Sequence, residues 1–163
     1  MEKLLRAVYA SEKKKKSLNV ISKLSVYTNV VIVAAMLAVL ALGSDPLDAA
    51  IAALSAAIGY LTVTLARKKF NRPRPYEVYD FYAVRPREKQ GESFPSRHCY
   101  SAFVITSLSW LVCPFAVALL FILALLIAAS RVLLGIHFVR DVVCGALIGI
   151  LFGICGVALA TVL

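Results

Sequence analysis

Four stretches of this chain carry no charged side chain over about the length a helix needs to cross a ~30 Å hydrocarbon core. They are residues 24–43, 49–66, 99–130 and 142–163. The chain is 61% hydrophobic with a mean hydropathy of +0.83, above what a soluble domain with a one-sided core shows. Water is therefore not its only solvent, and the pattern is that of an integral membrane protein.

The third stretch is too long for one crossing. As a single helix, residues 99–130 would run roughly 48 Å at ~1.5 Å per residue. Pro114, near the middle, has no N–H to donate and clashes with the preceding turn, so it supplies the break. This predicts two helices with a tight turn around residues 113–115. The expected fold is an all-α integral membrane bundle of five transmembrane helices plus an N-terminal amphipathic helix, with residues 1–163 as a single domain.

The charges agree with that count. With sides numbered alternately, residues 1–23, 67–98 and 131–141 share one face, and all 18 Lys and Arg lie there. Merging the two middle helices would send Arg131 and Arg140 to the opposite face. The cysteines carry no such signal. Cys99, Cys113, Cys144 and Cys155 sit in or at the ends of apolar helices, without a C-x-x-C pair, and read as small packing residues.

At the start, "MEKLLRAVYASEKKKKSLNVISK" puts Leu4, Leu5, Val8 and Tyr9 at helical spacing ahead of Lys13–Lys16. Residues 1–23 read as an amphipathic interfacial segment whose lysines meet anionic head groups. A secretory signal is not expected, because the basic region is long and the first apolar run is long enough to span. In the last stretch Gly145, Gly149 and Gly153 recur at four-residue intervals, which lets another helix approach closely. Packing within the bundle is expected there rather than dimerisation.

Residues 67–94, "RKKFNRPRPYEVYDFYAVRPREKQGESF", mix X-Pro pairs with aromatic and charged residues. This predicts an irregular loop at the membrane surface. Tyr76, Tyr79, Phe81 and Tyr82 suit the head-group level, as an aromatic belt or as a gate for substrate.

That same face holds both histidines, His98 and His137, with Arg67, Arg72, Arg74, Arg97, Arg131 and Asp141. Ionisable groups at helix ends near a bilayer are costly unless they have partners or a ligand. Several cations with few acids suggest an anion, and phosphate is the obvious one. In "SRVLLGIHFVRD", His137 and Asp141 are four apart, so a helix would bring the carboxylate to one imidazole nitrogen and leave the other as a lone-pair donor. A histidine held in this way can attack phosphorus; taken alone, the pair reads as a structural hydrogen bond. In "SFPSRHCYSAF", Pro95 and Ser96 mark a helix start, whose N–H groups and dipole favour an anion. His98, in the first turn, is placed to protonate a leaving oxygen and then to take a proton from water.

Together, "RKKFNRPRP", "PSRH" and "SRVLLGIHFVRD" resemble the three-part signature of the type 2 phosphatidic acid phosphatase superfamily: K-x6-R-P, P-S-G-H and S-R-x5-H-x3-D. The resemblance implies a lipid phosphate phosphatase. In it His137 would form a phosphohistidine, Asp141 would orient that ring, and His98 would be general acid and then base. Arg74, Arg131 and the cation at position 67 would hold the phosphoryl oxygens, with Ser96 and nearby backbone amides completing the cradle. It also implies catalysis without a metal or other cofactor, in agreement with the lack of a carboxylate cluster.

Two positions depart from the signature. Arg67 stands where the pattern has Lys, and Lys68 could substitute if the register slips by one. Arg97 replaces the signature's Gly and could narrow the pocket or add a phosphate contact. Five spans, against the six common in the family, resemble its small bacterial members.

The expected activity is removal of a terminal phosphate from a lipid phosphate or diphosphate of the undecaprenyl diphosphate, phosphatidylglycerophosphate or phosphatidic acid class. The expected partners are that substrate and the bilayer, with no nucleic acid. The alternative is a noncatalytic scaffold that binds anionic lipid through the basic face. A transporter fits less well, since no charge lies midway along a span. The positive-inside rule puts the basic face in the cytoplasm, whereas many bacterial members of the family are thought to work on the outer side, so the sequence leaves the side open, with the charge bias leaning to the cytoplasmic face.

Overall fold

A computed structural model describes residues 2–43, 46–79 and 90–162. Regular structure among them is helical throughout: α1 (Glu2–Tyr9), α2 (Glu12–Leu42), α3 (Pro46–Phe70), α4 (Pro75–Val78), α5 (Arg97–Leu108), a 3-10 turn (Ser109–Leu111), α6 (Ala116–Leu133) and α7 (Val139–Val162).

Among the described residues, four helices are long and apolar enough to cross a membrane: α2, α3, α6 and α7. Their outer faces expose Val31, Leu54, Leu125 and Leu151, as lipid-facing surfaces do. The fifth expected span is shorter than the sequence suggested. Its helix, α5, has 12 residues, or roughly 18 Å. The hydroxyls of Ser107 and Ser109 bond back to the carbonyls of Phe103 (3.1 Å) and Thr106 (2.7 Å), which competes with regular helix. The chain tightens into the 3-10 turn and then reverses at Pro114, where the break was expected.

What α5 lacks in length it makes up in burial. Cys99, Tyr100, Phe103, Val104 and Leu108 are almost wholly enclosed, so this helix forms the centre of the bundle. Its main partner is α7, and the glycine ladder makes the approach possible. A methyl group on Gly145 would lie 2.4 Å from the Ser96 carbonyl oxygen, and one on Gly149 would lie 2.5 Å from that of Tyr100. The small residues are thus used inside the chain. The Tyr100 hydroxyl donates to the Ala56 carbonyl at 2.7 Å and ties α5 to α3 as well.

The N-terminal segment is divided differently from the expectation for residues 1–23. Helix α1 stops at Tyr9, and Lys13–Lys16 belong to the first turns of α2. No Gly or Pro interrupts residues 12–42, and Glu and Lys are good helix formers, so the helix runs on from the basic segment into the apolar one. Leu5 is fully buried and the Tyr9 hydroxyl donates to the Leu134 carbonyl at 2.8 Å, which pins α1 to the end of α6.

The described parts of residues 67–98, namely 67–79 and 90–98, also carry more regular structure than the expected irregular loop. Helix α3 continues to Phe70, and α4 follows. Asn71 takes a positive φ of 38° at the α3 terminus, and its Oδ1 accepts the Glu92 N–H at 3.2 Å. Ser93 N–H donates to the Arg72 carbonyl at 2.9 Å, so the two ends of the loop are stitched together. Phe81 and Tyr82, with the rest of residues 80–89, lie outside the described residues.

Candidate active site

His137 sits in the short turn between α6 and α7. Gly135 supplies the reversal with φ +62°, and the N–H groups of Ile136 and His137 both donate to the Arg131 carbonyl, at 3.1 and 3.2 Å. The ring is almost wholly buried. Asp141, in the first turn of α7, is fully buried, and its Oδ2 accepts the Phe138 N–H at 3.0 Å.

The histidine and aspartate meet, though not by the direct hydrogen bond that their spacing suggested. His137 Nδ1 is 3.7 Å from Asp141 Oδ2, beyond hydrogen-bond reach. Ser93 fills the angle between them: its Oγ donates to Asp141 Oδ2 at 2.5 Å and lies 3.4 Å from His137 Nδ1. A carboxylate on this side of the ring favours the proton on Nδ1, which leaves Nε2 with the lone pair. Burial, reinforced by the positive charges of Arg74 and Arg67, pushes the imidazole down to about 4, against the opposing pull of Asp141. At neutral pH the ring is uncharged.

Arg67, in the last turn of α3, is almost wholly buried and clamps the chain that leads into α5. Its Nη1 donates to the Pro95 carbonyl at 2.7 Å and to that of Ser93 at 3.3 Å, while Nε has no hydrogen-bond partner among the described residues. Its neighbour Lys68 is exposed, so Arg67 is the cation that faces the site. Arg74 is also buried, and its Nε donates to the Gly91 carbonyl at 3.0 Å. Glu77 completes this corner by accepting the Gly91 N–H at 2.8 Å.

Arg131 is buried in the last turn of α6. Ser96 is buried at the start of α5, but its side chain makes no capping bond; its N–H donates to the Asp141 carbonyl at 2.9 Å instead. The first helical bond of α5 is Tyr100 N–H to Ser96 O, so the N–H groups of residues 97–99 stand at its open end. Arg131, His137, Arg97 and Arg67 all act electrostatically on His98. The three distant sequence motifs therefore converge, with the histidines at one end of the bundle. His98 and Arg97 face a large apolar cavity, and the Arg97 guanidinium lies 5.9 Å from the ring centre of Tyr60. Arg72 lies over Phe94, at 4.7 Å.

Chemically, the site offers an uncharged imidazole beside a buried carboxylate, several guanidinium groups and the positive end of a helix. That set suits an anion with several oxygens, and a nucleophilic nitrogen adjoins it. Among the described residues no three His, Cys, Asp or Glu gather as metal ligands. Sequence reasoning missed Ser93, Glu77 and Asn71. A serine two residues before Pro95 carries no spacing signal, because its partner Asp141 lies far along the chain.

A family model described as the PAP2 superfamily matches residues 48–161. Among solved structures, Aquifex aeolicus LpxE is 26% identical, with a TM-score of 0.75 over 96% of this chain and 93% of its own. The first transmembrane PAP2-type phosphatidylglycerolphosphate phosphatase from Bacillus subtilis is 23% identical and shares the fold, with a TM-score of 0.72 over 98% of this chain and 84% of its own. No curated protein matches the chain.

Proposed function

The chain belongs to the PAP2 superfamily and is a membrane lipid phosphate phosphatase, and from that premise we propose which residues do the chemistry and on what kind of lipid. The substrate is a lipid phosphate or diphosphate of the undecaprenyl diphosphate, phosphatidylglycerophosphate or phosphatidic acid class. Its apolar chains stay in the bilayer and its terminal phosphate enters the arginine cluster. The whole chain acts as one domain, with α5 and its 3-10 turn as a fifth, central crossing and α1 resting at the interface.

His137 Nε2 attacks the terminal phosphorus while the bond from phosphorus to the lipid oxygen breaks, and His98 gives that oxygen a proton. The phosphoryl group is then held on His137. Water attacks the same phosphorus as His98 takes its proton, the N–P bond breaks, and inorganic phosphate leaves. Asp141 orients the imidazole with the help of Ser93. Arg67, Arg74 and Arg131 neutralise the phosphoryl oxygens, and Ser96 with the amides opening α5 completes the cradle. No metal or other cofactor enters these steps. Positioning and preorganised charge contribute most of the acceleration.

The observation that carries this reading is the buried Ser93–Asp141–His137 group ringed by cations. The experiment is phosphate release by purified protein in detergent from a panel of lipid phosphates, with and without a chelator. Turnover that survives the chelator and disappears in His137→Ala supports the reading; a strict metal requirement counts against it.

A further inference from the structure

A cavity of about 1090 Å³ opens between α2, α3 and α5, at the upper end of the usual size for ligand pockets. Val30 and Val33 of α2 and Leu61 of α3 are typical of its walls. It adjoins the half of the bundle nearest the basic face, because its α2 residues follow the lysine segment and its α3 residues precede Arg67. Its polar end carries Arg97 and His98, and among the described residues Arg97 is the one permanently charged group that lines it. An apolar groove with a cation at its mouth complements a lipid whose chain lies in the groove and whose anionic head lies at α5.

Arg97 stands where the family signature has glycine, and the structure gives that side chain a definite place. It lies within 5.9 Å of the Tyr60 ring centre and lines the cavity, whereas Arg67 and Arg74 bond to carbonyls of the loop and do not line it. Arg97 lines the groove beside His98 and closely follows the stretch whose Ser93 and Pro95 carbonyls Arg67 holds, so it joins the cation cluster to the groove. In the mechanism above, His98 serves the leaving oxygen. The next position outward along the substrate is the first group of the leaving lipid.

Resting on that mechanism, we propose that Arg97 binds the phosphate that stays with the lipid, so that this chain favours substrates whose leaving group is itself a phosphate. The preferred class is then a lipid diphosphate. Its terminal phosphoryl group goes to His137, the bond between the terminal phosphorus and the bridging oxygen breaks, and the lipid monophosphate departs with that oxygen, which takes the proton from His98. Water then releases inorganic phosphate from His137. A lipid phosphomonoester gives Arg97 no such partner, because its leaving group is an alcohol. A guanidinium suits this role through its fork of donors and its stacking on Tyr60.

The test compares a prenyl diphosphate with the prenyl monophosphate of the same chain length, in detergent, for the wild type, Arg97→Gln and Arg97→Lys. Arg97→Gln is expected to lower kcat/KM for the diphosphate about tenfold more than for the monophosphate, the size of one charge-assisted hydrogen bond, with Arg97→Lys in between. Parallel losses on both lipids, or no loss on either, would overturn the assignment while leaving the phosphatase reading in place. A wild type that hydrolyses neither prenyl lipid but releases phosphate from phosphatidylglycerophosphate or phosphatidic acid would overturn this inference alone; inactivity on all of these lipids would sink the proposed mechanism, and this inference with it.

Discussion

The Cα of Gly145 in α7 packs directly against the carbonyl of Ser96 at the start of α5, so closely that a methyl group there would sit 2.4 Å from the oxygen. The Ser96 N–H donates to the carbonyl of Asp141 at 2.9 Å, one turn earlier on α7. These contacts fix the helix that bears His98 against the helix that bears Asp141.

Gly145→Ala should therefore damage the site as well as the bundle. The obstacle is backbone, which cannot rotate away, so α5 and α7 must separate. Overpacking of this kind costs about 1–3 kcal/mol. The expected outcome is a lower midpoint of thermal unfolding in detergent together with a fall in phosphate release. Wild-type values of both would show that the helices are less tightly docked than described.

Ser93→Ala removes the hydroxyl between the histidine and the carboxylate. A hydrogen bond to a charged group contributes ~1.5–3 kcal/mol, so kcat should fall by roughly one to two orders of magnitude. Because Ser93 positions the imidazole in this account, KM should change little, and steady-state kinetics on a short-chain lipid phosphate separates the two.

Arg67→Ala leaves the Pro95 and Ser93 carbonyls without their buried donor, and each orphaned group costs ~1–3 kcal/mol. The variant should be both less stable and inactive. Arg67→Lys keeps the charge and can reach one carbonyl, so it should recover most of the stability and part of the activity, read by unfolding midpoint and kcat/KM. Equal stability in all three proteins would contradict the clamp.

The histidine's environment fixes the sign of the pH response. Burial holds the folded-state value of His137 at about 4, below the ordinary histidine range, so the ring stays neutral as pH falls through 6. The lone pair proposed to attack phosphorus is lost only as the pH approaches 4. The profile of kcat/KM, which reports the free enzyme, should show no loss from His137 protonation between pH 7 and 5.5. In Asp141→Asn the carboxylate that favours the charged ring is gone, so the His137 value should fall further.

The long-range apolar pattern was legible because it is one-dimensional. The charge-free runs became α2, α3, α6 and α7, Pro114 became the reversal, and the glycines of α7 became its contact with α5. The length of α5 was not legible, since apolar content does not reveal that Ser107 and Ser109 bond back onto their own helix. Nor was the boundary at Glu12, because a lysine run is as good a helix as it is a solvated segment. At the site, the residue types and their order marked out the histidines, the arginines and Asp141. Ser93 and the backbone clamp of Arg67 depend on which carbonyl or hydroxyl meets which side chain across distant segments, and no spacing rule encodes that.

The most direct test of the central claim, that His137 carries the phosphoryl group, is trapping. Wild-type protein in detergent is mixed with a lipid phosphate radiolabelled in its terminal phosphate, quenched in alkali and digested. The account predicts an acid-labile, alkali-stable label on the peptide containing His137, absent from His137→Ala. Rapid turnover with no label on that peptide, or a label that persists in His137→Ala, would contradict it.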